Sequence, residues 1–102
     1  MNEKESDECT KRNLKGIELE KKGKIKKAMA LYEENIKRGF EGNHPYDRLA
    51  IIYHRLGRID DEIRILRKAI SVFENISDIR SDREPKLKKF KKRLEKLLKT
   101  VM

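Results

Sequence analysis

The sequence predicts an all-α fold of about five helices, arranged as antiparallel helical hairpins that stack into a short α-solenoid. Three observations lead to this prediction. The helix-favouring residues Lys, Glu, Leu, Arg and Ala dominate a chain of 102 residues that has only two prolines. Apolar residues recur at helical spacing, and no stretch alternates as a half-buried strand does. Charged residues make up 44% and hydrophobic residues 36%, which suits helices that each bury a single stripe.

The first two predicted helices form one hairpin. The first runs from about Cys9 to Lys22 and ends at Gly23, and the second runs from about Lys24 to Arg38. Gly39 is well placed to end the second helix in a left-handed conformation. Residues 1–8 are polar and acidic and are predicted to be a flexible N-terminus. The apolar positions of the first helix are Leu14, Ile17 and Leu19.

Three more helices are predicted in the rest of the chain. The third runs from Pro45 to Leu56, because a proline fits the first turn of a helix. The fourth is capped by Asp60 and extends to about Asn75. Residues 77–84 are a polar connector, and residues 85–102 form a basic amphipathic capping helix. The apolar stripe of this last helix consists of Leu87, Phe90, Leu94, Leu97, Leu98 and Val101.

The chain also matches itself when it is shifted by 34 residues. The shift places Gly23 on Gly57. It also places Gly16 on Ala50 and Tyr32 on Leu66. Residues 9–42 and 43–76 are therefore predicted to be two repeats, each made of a helix, a short glycine turn and a second helix.

This pattern resembles the tetratricopeptide repeat (TPR) family over about two thirds of the chain. In the first repeat the matching residues are Gly16, Gly23, Ala28 and Tyr32; in the second they are Leu49, Ala50, Tyr53, Gly57, Leu66 and Ala69. Arg12 and Lys15 stand where the family usually has apolar residues, and the usual closing proline is missing from both repeats. Glu62 stands where alanine is usual, and Asn35 stands where a second small residue is usual. The resemblance implies that the C-terminal helix closes the stack.

The resemblance also implies a function, because the first helices of such hairpins line a groove that holds peptides. The positions that match the groove are Asn13, Ile17, Glu20, Asp47, Arg48, Ile51, His54 and Arg55. Some family members hold a terminal carboxylate of a peptide there, and Asn13 matches one residue of that set. Ile17 and Asp47 replace others, which argues against a carboxylate clamp of the chaperone-binding kind. The expected partner is a protein or peptide, and two hairpins with an uncovered apolar end also allow homodimerisation.

The charge distribution supplies the alternatives. The net charge is +9, and the C-terminal helix carries a basic patch made of Lys86, Lys88, Lys89, Lys92, Arg93 and Lys96. Such a patch attracts nucleic acid or an anionic lipid surface, or it only keeps the helix solvated. Phe90 is the one aromatic residue of this helix and belongs to its apolar stripe, so no stacking platform for bases is expected.

No set of residues in the sequence indicates catalysis, a metal or a cofactor, so a non-enzymatic protein is predicted. The two histidines, His44 and His54, have no neighbouring cysteine or carboxylate cluster. Cys9 is the only cysteine and lies among acidic residues, which disfavour a thiolate. A single cysteine, no apolar stretch that could span a bilayer and no signal peptide together predict a cytoplasmic location.

Overall fold

The computed structural model describes residues 1–101, which form five α-helices and no strand. The helices are α1 (Glu3–Lys21), α2 (Ile25–Lys37), α3 (His44–Arg55), α4 (Ile59–Glu74) and α5 (Arg83–Val101). The predicted all-α fold is therefore confirmed. Met102, the last residue of the predicted fifth helix, lies outside the described residues. None of the described helices is both long enough and apolar enough to cross a membrane.

The first helix begins six residues earlier than predicted, at Glu3 instead of Cys9. The side chain of Asn2 accepts a hydrogen bond of 2.8 Å from the backbone N–H of Glu5 and donates one of 3.2 Å to the Glu5 carboxylate. Asn2 thus caps the helix, with Glu5 bonded to its side-chain amide, and acidic residues in the first turn also complement the helix dipole. The prediction that residues 1–8 lie outside the helix is therefore wrong for residues 3–8.

Two other helix starts also differ from the predictions. The N-cap of α4 is Arg58, not Asp60, and α5 begins at Arg83, two residues before Pro85. The three predicted glycine stops are found. Gly23, Gly39 and Gly57 have φ angles of 75°, 74° and 70°, a conformation that glycine adopts without steric strain.

The turns after α1 and α3 use the same hydrogen bonds at positions 34 residues apart. After α1, Gly23 donates to the carbonyl of Glu20, and Lys24 donates to that of Leu19. After α3, the same two bonds run from Gly57 to His54 and from Arg58 to Tyr53. The same two bonds also end α2, from Gly39 to Ile36 and from Phe40 to Asn35, so the motif marks the end of each of these three helices.

The chain divides into two compact units, Met1–Pro45 (unit 1) and the part from Tyr46 onward (unit 2). In unit 1, α1 packs against α2 at Gly16. A Cβ atom on Gly16 would lie 2.5 Å from Cε1 of the Tyr32 ring, so glycine permits this close approach. Cys9, Leu19, Ala28, Tyr32 and Ile36 are buried, whereas Leu14, one of the predicted apolar positions, is 63% exposed.

In unit 2, α4 runs antiparallel to α3 and to α5. The ring of Phe73 on α4 makes edge contacts with Tyr46 of α3, at 6.5 Å between centroids, and with Phe90 of α5, at 5.5 Å. All three rings are fully buried. The predicted contact of the C-terminal helix with the second hairpin is thus confirmed, and Leu87 and Leu97 are buried with Phe90. Leu94 and Leu98 are half-buried, and Val101 is 50% exposed.

Candidate partner-binding surface

The surface begins with the side of α3 that the core leaves uncovered. Asp47, Ile51 and His54 follow one another at intervals of four and three residues, so they share one side of the helix. Arg55 lies one turn after Ile51 on a neighbouring part of the same face and is exposed. Asp47 and Ile51 are half-buried. This edge therefore offers one apolar side chain among polar ones.

α5 borders this edge of α3 through two ion pairs. Oδ1 of Asp47 accepts a hydrogen bond of 3.0 Å from Arg93 and lies 3.5 Å from the ammonium of Lys89. Lys89 and Arg93 are one helical turn apart, so both reach the same carboxylate. Asp47 had been predicted as a groove residue, and Lys89 and Arg93 as part of the basic patch. The structure brings these two predicted sets together.

Further along the same edge, a cleft of about 320 Å³ opens between α3, α4 and α5. Its lining residues are His54, Glu62, Arg93, Lys96, Leu97 and Thr100. We call the combined surface the α3–α5 face; it consists of Asp47, Ile51, His54 and Arg55 of α3 and Lys89, Arg93, Lys96, Leu97 and Thr100 of α5. Because Arg55, Lys89, Arg93 and Lys96 are cations and Asp47 is the face's own carboxylate, the face is basic.

A histidine–carboxylate pair forms one wall of the cleft. Nδ1 of His54 lies 3.0 Å from Oε1 of Glu62, and the Glu62 side chain is 6% exposed whereas that of His54 is 65% exposed. A buried carboxylate needs a partner, and His54 supplies it. Since the carboxylate accepts, the hydrogen bond places a proton on Nδ1, and Nε2 of the neutral ring is then an acceptor.

The rest of the predicted basic patch is mostly exposed. Lys88, Lys92 and Lys96 are exposed, Lys86 is half-buried, and no hydrogen bond or ion pair involves these four side chains within residues 1–101. The exposed stretch therefore presents ammonium groups that are free to meet an anion.

The predicted groove residues of unit 1 have structural partners. Asn13 was predicted to face a peptide, but it is buried, and its Oδ1 accepts a hydrogen bond of 2.8 Å from Asn35. Asn35 also donates to the carbonyl of Cys9 at 2.8 Å. The placement of Asn13 in a binding groove is thus wrong, because its amide joins α1 to α2.

The other two predicted positions of α1 are half-buried. Glu20 accepts a hydrogen bond of 2.7 Å from the hydroxyl of Tyr32, whose oxygen also lies 3.3 Å from Nε2 of His44. Ile17 is half-buried. In α3, Arg48 is half-buried and follows Asp47 in the helix.

Glu62, Leu97 and Thr100 line the cleft but were not predicted as site residues. For Glu62 a signal existed, since it stands where the repeat resemblance expects alanine. An ionisable residue at a position that calls for a small apolar one is a reason to look for a partner. Leu97 and Thr100 carry no such signal, because only the docking of α5 places them beside His54.

The clearest electrostatic perturbations lie outside this face. Arg64, and then Arg58, hydrogen-bond the Asp61 carboxylate and hold its pKa below the usual range. Lys22, followed by Lys15, lowers the pKa of Glu18 in the same way. Both are exposed ion pairs within or beside single helices and indicate no chemistry. In the described part of the chain, no group of three or more His, Cys, Asp or Glu side chains is arranged to hold a metal ion.

Comparisons with models of protein families, with curated proteins and with solved structures give no match to this chain.

Proposed function

We propose that this chain is a protein-interaction module that binds a peptide segment of a partner protein on the α3–α5 face. The observation that carries the proposal is the contact of Arg93 and Lys89 with Asp47. Through this contact, side chains from two helices form one surface beside a cleft. An elongated surface of this kind suits a chain segment better than a compact small molecule.

The chemistry of the face supports the same proposal. Half-buried Ile51 provides apolar contact, and the same face carries Arg55, Lys89, Arg93 and Lys96, which is the mixture that peptide-binding surfaces use for affinity and orientation. The resemblance to TPR proteins, which bind peptides along their first helices, adds to the argument. On this proposal the chain is an adaptor, regulator or inhibitor without catalytic activity.

Selection from a displayed library of random dodecapeptides tests the proposal. We expect wild-type protein to enrich peptides whose binding falls when Ile51 or Arg55 is replaced by alanine. For Arg55→Ala, the expected loss exceeds about 1 kcal/mol if the guanidinium is buried in the complex. Lys26→Ala serves as the control, because Lys26 is an exposed lysine of unit 1. Failure to enrich any peptide, or equal binding to all variants, would contradict the proposal.

Nucleic-acid binding is the second candidate, and the unpaired Lys88, Lys92 and Lys96 favour it. Against it, all the aromatic rings of unit 2 are buried, so bases have no surface on which to stack. Fluorescence anisotropy with labelled single-stranded and duplex oligonucleotides separates the two candidates. If an oligonucleotide binds more tightly than every selected peptide at 0.15 M salt, nucleic acid becomes the preferred ligand.

A further inference from the structure

We infer that the α3–α5 face takes an acidic peptide and that the cleft beside His54 holds one of its carboxylates. The inference rests on the proposed function, because it names the chemistry of the partner that the same face would bind. It is carried by the donors that converge on the cleft and by the fact that its one carboxylate, Glu62, already has a partner.

The donors, Arg93 and Lys96, come from α5 and lie about one helical turn apart. Lys96 lines the cleft and has no ion pair within the described residues, so its ammonium is free for an incoming anion. Arg93 lines the same cleft and uses Nη1 to hold Asp47, which leaves its other guanidinium N–H groups available. His54 borders the cleft without adding a donor, because its Nδ1 proton bonds to Glu62 and Nε2 of the neutral ring is an acceptor.

Within the described residues, no hydrogen bond or ion pair joins Glu62 to Lys96 or Arg93. The Glu62 side chain is buried and its Oε1 bonds to His54. This leaves Lys96 without a carboxylate partner in the cleft. A side-chain carboxylate of a ligand would supply it and would form a charge-assisted hydrogen bond.

The size of the cleft and its surroundings favour a peptide as the source of that carboxylate. A volume of about 320 Å³ is at the lower limit of small-molecule pockets, which suits one anchoring side chain better than a whole cofactor. Beyond the cleft, the face continues over Ile51 to Lys89 and Arg93. The interval from His54 back to Asp47 is seven residues of helix, or about 10.5 Å, which an extended peptide spans in about three residues. A second acidic residue of the same segment can therefore reach Lys89.

The test measures binding of a fluorescein-labelled dodecapeptide of six Glu-Ser repeats, and of its Gln-Ser counterpart, by anisotropy. We expect the Gln-Ser peptide to bind at least about tenfold more weakly, since it removes every charge-assisted bond. Lys96→Gln should weaken binding of the Glu-Ser peptide about threefold to tenfold.

Lys91→Gln is the matched control. It removes the same charge from the same helix, but Lys91 is not among the residues that line the cleft, and its ammonium lies 3.6 Å from Glu74 of α4. We expect this variant to bind the Glu-Ser peptide within about twofold of wild type, as is usual for an exposed charge outside the contact. Circular dichroism of each variant verifies that it is folded.

The outcomes separate the inference from the proposed function. If Lys96→Gln and Lys91→Gln weaken binding equally, the peptide responds only to net charge, and the inference is overturned. It is also overturned if the Gln-Ser peptide binds as well as the Glu-Ser peptide, or if neither binds. In those cases the selection from the random library still tests the proposed function separately, since a module that binds neutral or apolar peptides would enrich such peptides.

Discussion

Nδ1 of His54 lies 3.0 Å from Oε1 of Glu62, so an exposed side chain of α3 is the partner of a buried carboxylate of α4. The arrangement ties the stability of unit 2 to a residue on its proposed binding surface. A buried carboxylate that loses its partner destabilises the protein by far more than the loss of an exposed side chain normally does.

His54→Ala should therefore lower the free energy of unfolding by about 1–3 kcal/mol, because it leaves the Glu62 carboxylate unpaired. Glu62→Ala should leave the free energy of unfolding nearly unchanged, since it replaces the buried charge with a small apolar residue. The double variant should be more stable than His54→Ala alone. Urea unfolding of the three variants measures this coupling, with the exposed neighbour Arg55→Ala as control. Additive effects of the two substitutions would show that the pair is not coupled.

Gly16→Ala tests the contact between α1 and α2. Alanine is intrinsically better in a helix than glycine, by about 1 kcal/mol. The new Cβ, however, would lie 2.5 Å from the buried Tyr32 ring, whose hydroxyl is held by Glu20. Since the ring is held in place, we expect net destabilisation of about 1–3 kcal/mol. Thermal unfolding measures it, with exposed Lys11→Ala as the helix control; a stabilised Gly16→Ala variant would mean that Tyr32 moves freely.

Phe90→Ala tests the docking of α5. Its ring is fully buried and contacts Phe73, and truncation of a buried phenylalanine destabilises proteins by about 3–5 kcal/mol. We expect a large fall in the melting temperature and faster proteolysis of the segment at residues 77–82. Lys88→Ala, an exposed change on the same helix, should have little effect. An unchanged melting temperature for Phe90→Ala would mean that α5 does not stabilise unit 2.

The ion pairs of Asp61 should make stability depend on pH. Because Arg64 and Arg58 lower the pKa of Asp61 in the folded protein, its contribution is present above the unfolded pKa, which is about 4. This contribution to stability is lost as the pH falls through the pKa that Asp61 has in the folded protein, which is the lower of the two. Asp61→Asn should thus be less stable than wild type at pH 7, and the difference should vanish near pH 2. Asp60→Asn, one residue away and without an ion pair in the described residues, is the control for the helix dipole.

The start of α1 could have been predicted from residues that are close together in the sequence. The pair Asn2 and Glu5 has the spacing of a capping box, so the correct start of the helix was present in the sequence, but apolar periodicity alone placed it at Cys9. Asn13 shows the opposite limit. A polar residue on a predicted helix is expected to be exposed to solvent. Only the hydrogen bond of Asn13 to Asn35, 22 positions away in the chain, explains why Asn13 is buried.

The sequence by itself determined the helices and the glycine turns, because these depend on interactions between residues close together in the chain. The apolar periodicity of α5 was determined in the same way, and Leu87, Phe90 and Leu97 are its buried members. Only the tertiary structure decided that Arg93 and Lys89 meet Asp47, and that a cleft opens between His54 and Lys96. Those contacts join residues that are 42 to 46 positions apart. Their geometry depends on how α5 packs against α3 and α4, and packing of side chains across helices leaves no periodic signal in a single sequence.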